Sequence, residues 1–170
     1  MTDAQSQYGI VKENDKGQSI VLFERSLTHP IEKVWAAIIE PEQRAQWAPG
    51  IHFEPELDGA YEIWFSEVCE GASHVSGTVN VFEPPRRLQL GSIAFELESI
   101  DGGTLLRFSD VLWFDGKSTR AEFANSVLGG WHVFLDRFCY FVDEGRALEP
   151  IPSEPDYANM DVPGRDLELT

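Results

Sequence analysis

The side chains able to do chemistry are few and scattered. His29, His52, His74 and His132 form no HxxxH or HExxH pair, so neither a metal nor a cofactor is expected. There is no GxSxG elbow and no GxxxxGK[ST] loop, and Gly102-Gly103 reads as a hairpin turn. Cys69 and Cys139 lie far apart without CxxC spacing, the pattern of reduced thiols in a cytoplasmic protein. Two polar candidates remain. His132 and Asp136 stand four apart, so on a helix they would share a face. They would serve there as an acid–base pair or, the expected role, as a contact bridging helix and sheet. Asp110 alternates with Phe108 and Leu112 on one strand face. A carboxylate there must find a donor, reach water at the strand end or hold its proton more tightly. No catalytic residue is assigned, and a non-enzymatic role is expected.

The apolar side chains suggest binding instead. Trp47, Tyr61, Phe65, Phe95, Phe108 and Trp131 are expected to surround a space between a sheet and a long helix. Ile63, Leu97, Leu112, Val127 and Leu135 would complete its walls, with Asp110 and His132 as its polar groups. Such cavities take small hydrophobic molecules. The 11 phenylalanines are also enough to fill that volume as solid core.

The elements that must position these residues follow from periodicity. Residues 120–143 form one apolar run in which Phe123, Val127, Trp131, Leu135, Phe138 and Val142 recur at spacings of three and four. This predicts a helix of about six turns, about 36 Å long. Gly129 and Gly130 in its middle cost about 1 kcal/mol each relative to alanine, which suggests a close approach there. A helix this apolar needs a sheet to hold it. Strands are predicted at 10–12 and 18–27, then two short helices opened by Pro30 and Pro41. Further strands are predicted at 61–68, 75–82, 87–92, 93–100 and 104–114, joined by short links that favour an antiparallel meander. Pro150, Pro152, Pro155 and Pro163 mark an aperiodic acidic tail over 146–170, read as a wrapping arm or disordered.

Bulk properties narrow the function. At 170 residues and 42% hydrophobic, the chain fits one α+β domain that needs no staples. Its formal charge of −16, from 29 acidic and 13 basic residues, argues against nucleic acid and anionic membranes. Met1 to Gly9 lacks the basic-then-apolar pattern of a signal peptide, and the long apolar run carries Asp136 and Arg137, unlike a membrane span. A cytoplasmic monomer or homodimer is expected.

Four segments together resemble a known family. They are Tyr8-Gly9 through Phe23-Glu24-Arg25, Thr28 through Trp47-Ala48, Gly77 through Pro84-Pro85-Arg86-Arg87-Leu88-Gln89, and Gly129 through Phe138 with Trp131-His132 and Leu135-Asp136. In this order they resemble the SRPBCC (START/Bet v 1-like) superfamily, and within it the group similar to the activator of Hsp90 ATPase homologue 1. The resemblance covers about residues 8–145 and implies a helix-grip fold: a curved antiparallel sheet wrapped around a long C-terminal helix. The chain departs from the group's pattern at Asp110, where members often carry histidine, and at Gly91-Ser92, where an aromatic is common. The resemblance implies non-catalytic binding of a small hydrophobic or amphipathic ligand. The alternatives it implies are a module acting on an Hsp90-type chaperone ATPase or another protein, and a cyclase- or hydrolase-like enzyme using the same cavity.

Overall fold

The computed structural model of the protein describes residues 7–65 and 74–166. Cys69 and the end of the strand predicted at 61–68 lie outside the described residues. Strands β1 (Ile10–Glu13) and β2 (Ser19–Leu27) form a hairpin, followed by helices α1 (Ile31–Ile39) and α2 (Pro41–Arg44). Strands β3 (Ile51–Phe53), β4 (Ala60–Trp64), β5 (His74–Glu83), β6 (Arg87–Leu90), β7 (Ile93–Ile100) and β8 (Gly103–Val111) follow in turn. Helix α3 (Arg120–Glu144) comes last, before a short 3-10 turn at Tyr157–Asn159. The strands make one antiparallel sheet in the order β1-β2-β8-β7-β6-β5-β4-β3. The expected helix-grip arrangement is therefore present: β3 to β8 meander, and β8 returns to pair with β2.

Alternation decides which side faces α3. Val21, Phe23, Arg25 and Leu27 of β2, Ile93, Phe95 and Leu97 of β7, and Thr104, Leu106 and Phe108 of β8 are all buried. The β8 ladder stops at Val111, three residues short of the expected end, although Leu112 still donates its amide to Ser19 O at 2.9 Å. The three-residue β3 was not predicted, because so short a strand cannot show alternation.

Helix α3 starts at a capping box. Thr119 Oγ1 accepts the Glu122 amide at 3.2 Å, and Glu122 returns a carboxylate oxygen to the Thr119 amide at 2.9 Å. Gly145 ends the helix in the left-handed conformation, φ 70°. The two central glycines do not mark an approach of the sheet. A Cβ at Gly129 would lie 2.6 Å from Glu154 Oε2, so it is the tail that comes close; at Gly130 the added atom would meet nothing.

The tail over 146–166 is an ordered arm on the main core. Tyr157 and Val162 are buried in that core, and Pro163 O accepts the Val11 amide at 2.9 Å. Gly164 permits this crossing: its φ is +81°, and a Cβ would sit 1.7 Å from Val11 O.

Arg44 holds the α1–α2 corner from inside. Its guanidinium donates to Ile51 O at 2.7 Å, Ile38 O at 2.9 Å and Ile39 O at 3.1 Å, and it lies over the Phe53 ring at 4.2 Å. Ile38 and Ile39 end α1, so this cation satisfies carbonyls that a helix C-terminus leaves free. Burial lowers its pKa to about 10, so it stays charged at neutral pH. A lysine has one ammonium and cannot span three carbonyls. Arg44→Lys is expected to lower unfolding free energy by about 2 kcal/mol in urea titration; an unchanged midpoint would show that the corner does not depend on this group.

Candidate functional site

The space enclosed by sheet and helix is largely filled. Phe95 meets Phe108 at 5.1 Å between ring centroids, Trp47 meets Phe138 at 4.8 Å, and Phe108 meets Trp131 at 4.5 Å. Trp47 also donates its indole N–H to Ala37 O at 2.9 Å, which pins it inside. Where the packing stops, beyond Trp131, a cleft of about 750 Å³ opens between the end of β8, α3 and the tail. Its walls include Phe65, Asp110, Val127, Trp131, Phe134 and Arg137, with Trp113, Ile151 and Glu154 toward the rim.

Four of the thirteen expected cavity residues line this cleft: Phe65, Asp110, Val127 and Trp131. The others go elsewhere. Trp47, Ile63, Phe95, Leu97, Phe108, Leu112 and Leu135 are buried in the packed interior, because large side chains close the space midway along the helix. Tyr61 lies across two glycines instead. A Cβ at Gly91 would fall 2.2 Å from its hydroxyl, and one at Gly77 would fall 2.9 Å from its ring. The tyrosine of β4 thus occupies the space beside Gly91.

His132 is committed to a buried network. Tyr157 Oη accepts the Gly9 amide at 3.0 Å and lies 2.8 Å from His132 Nδ1. His132 Nε2 lies 3.4 Å from Asp136 Oδ2, and Arg25 Nη1 donates to Asp136 Oδ1 at 2.8 Å. The assignment that uses every proton has the tyrosine hydroxyl donating to Nδ1 and Nε2–H donating to the carboxylate. Burial opposes ionisation of Asp136, but hydrogen bonds from His132 and Arg25 outweigh it and hold its pKa below the ordinary value. Burial raises the Tyr157 hydroxyl to about 12 and the Cys139 thiol to about 11, which makes neither a ready nucleophile. The pair therefore bridges helix and sheet, as expected, and lies outside the cleft. Tyr157→Phe would strand the Gly9 amide and His132 Nδ1, and a loss of about 1–3 kcal/mol in unfolding free energy is expected; full retention of stability would break the network assignment.

Asp110 is the polar centre of the cleft. It stands on the inward face of β8, opposite Val21 and Ile93 in register. Its Oδ2 accepts the Trp131 indole N–H at 2.8 Å. Oδ1 is buried and has no hydrogen-bond partner among the described residues. Burial raises its pKa, and Ser92, Trp131 and Val111 offset this only in part. Of the three, Trp131 alone makes a well-formed hydrogen bond to the carboxylate, because the Val111 amide is committed to Ser92 O and the Ser92 hydroxyl only lies close by. Arg137, on the same helix face as Val127 and Phe134, brings the opposite charge. Its Nε is also buried without a partner, and it makes no ion pair among the described residues. Next to Asp136 in an apolar run, Arg137 carries no sequence signal that points to a cavity. Among the described residues no cluster of ligands for a metal ion is present, and no helix is long and apolar enough to cross a membrane.

The raised Asp110 pKa has a definite sign. Its contribution to stability is complete below the unfolded value of about 4 and is lost as pH rises through the folded value. Asn in its place keeps an oxygen for Trp131 but carries no charge. Asp110→Asn is expected to remove this pH dependence and to be at least as stable as the parent at pH 7. Denaturant titrations from pH 4 to 8 check this; a variant that keeps the parent's full slope would show that Asp110 is not its source.

The model of the family described as activator of Hsp90 ATPase homolog 1-like protein matches residues 28–142, more than half of the chain. None of the curated proteins matches the sequence. Among solved structures, the fold is similar to a conserved protein of unknown function from Enterococcus faecalis. The TM-score is 0.66 at 18% identity, covering 88% of this chain and 84% of that one. A protein from Nitrosomonas europaea gives 0.60 at 16% identity, covering 79% and 100%. CalU16 from Micromonospora echinospora gives 0.56 at 20% identity, covering 81% and 85%. At these identities the likeness is one of fold.

Proposed function

The chain belongs to the activator of Hsp90 ATPase homolog 1-like family, and on that premise we propose that it binds a small amphipathic molecule in the cleft beside Trp131, without covalent chemistry. The cleft's rim carries the argument. Among the described residues, large hydrophobic side chains are exposed at six positions, and four of them border this one opening: Trp113 at 65%, Ile151 at 60%, Phe65 at 46% and Val75 at 45%. Grouped apolar exposure costs free energy in water and marks a surface that is covered in use. The volume of about 750 Å³ lies in the range of ligand sites, and a few polar groups among apolar walls is their usual make-up.

A catalytic reading finds less support. The His132–Asp136 pair is turned into the Arg25–Tyr157 network, and Asp110 already holds Trp131. Neither arrangement sets a base beside an open space with a nucleophile next to it.

Binding in the cleft should respond to its volume. Val127 lines it from α3 and is half-buried, so Val127→Trp fills the space from one wall. Screened by thermal unfolding against lipids and aromatic acids, the parent is expected to gain several degrees with at least one compound, and Val127→Trp to lose that gain. Equal shifts in both proteins would place the binding elsewhere, and no shift from any compound would overturn the reading.

A further inference from the structure

Two unpaired groups in the cleft describe what should fill it. Asp110 Oδ1 is a buried acceptor with no well-formed hydrogen bond, the Ser92 hydroxyl being its nearby donor, and Arg137 Nε is a buried donor without an acceptor. Each is costly until something, water or a ligand, supplies its partner. Arg25 and Arg165 also leave Nε unpaired, but only the Asp110 and Arg137 atoms belong to residues that line the cleft. Arg137 is the less expected of the two. The chain carries 29 acidic residues, yet none described forms an ion pair with this guanidinium; among the described residues its one charge-related contact is the Phe134 ring at 5.8 Å.

The two groups are separated along the helix. Trp131, which holds Asp110, stands six residues before Arg137 on α3, about 9 Å along its axis. Phe134 lies between them, and Trp131 and Phe134 meet at 5.4 Å. The wall thus runs from an acceptor, across two aromatic rings, to a cation. Glu154 also lines the cleft, but it packs against Gly129, about two turns before Arg137. Negative charge is therefore concentrated toward the Asp110 end and positive charge at the other.

Resting on the small-molecule reading above, we propose that the ligand is an aromatic organic acid bound lengthwise. Its carboxylate pairs with Arg137, its flat body lies against Trp131 and Phe134, and an N–H or O–H at its far end donates to Asp110 Oδ1. Arginine suits the first contact because its planar donors match a carboxylate. The carboxylate of Asp110 suits the second because it accepts and, when ionised, cannot donate.

Three related probes separate the contacts: indole-3-butyric acid, its methyl ester, and its ring N-methyl analogue. The first has both ends, the second lacks the anion and the third lacks the donor. By calorimetry the acid is expected to bind the full chain at least about tenfold tighter than either analogue. Arg137→Met should weaken the acid to the level of the ester while leaving the ester unchanged. Asp110→Asn should remove the acid's advantage over the N-methyl analogue. Should all three bind alike, or should Arg137→Met leave the acid's lead intact, this orientation is wrong while a small-molecule cleft stands. Should none bind, the orientation falls; if the wider compound screen also gives no shift, the small-molecule reading falls with it.

Discussion

The indole N–H of Trp131 and the carboxylate of Asp110 sit 2.8 Å apart, and this bond sets where the interior ends. On one side of the Trp131 ring, Phe108 continues into the aromatic core; on the other, Phe134 and Phe65 face the cleft. The bond ties the middle of α3 to the end of β8, so the helix cannot roll to close the opening without stranding a buried carboxylate. The same bond occupies one carboxylate oxygen and leaves the other unpartnered beside the cleft. Core packing and cleft shape both follow from that placement.

A second polar joint holds the frame on which the first depends. Arg25 of β2, His132 and Asp136 of α3, Tyr157 of the tail and the Gly9 amide form one buried chain of hydrogen bonds. Tyr8 packs beside it, its ring tilted and 5.1 Å from the His132 ring. This chain explains why a proline-rich segment without periodicity is ordered. Tyr157 and Val162 give it an apolar foothold, and Pro163 joins the edge strand β1 through Val11. Ile151, Pro152 and Glu154, on the same arm, then form one side of the cleft.

Much of the architecture was legible because it rests on local patterns. Alternation marked β2, β7 and most of β8, and the three-and-four spacing marked α3 almost to the residue. The inward face of Asp110 was legible for the same reason. The site was less so. Val127 and Leu135 share the predicted helix stripe, yet one lines the cleft and the other is core, since periodicity gives a face but not the point where opposing rings close it. Trp113 and Ile151 come from segments without periodicity. Arg137 serves in the sequence only to set the long run apart from a membrane span, and it is half-buried in the structure, because α3 is covered on more sides than a surface helix.

The central claim is that binding takes place outside the Trp131 ring and not within the packed interior. The indole N–H signals of the five tryptophans report on this directly, since Trp131 and Trp113 border the cleft while Trp47 and Trp35 are core. In a nitrogen–proton correlation spectrum, adding indole-3-butyric acid is expected to move the Trp131 and Trp113 signals and leave those of Trp47 and Trp35 in place. Movement of Trp47 with Trp131 and Trp113 unchanged would contradict the account.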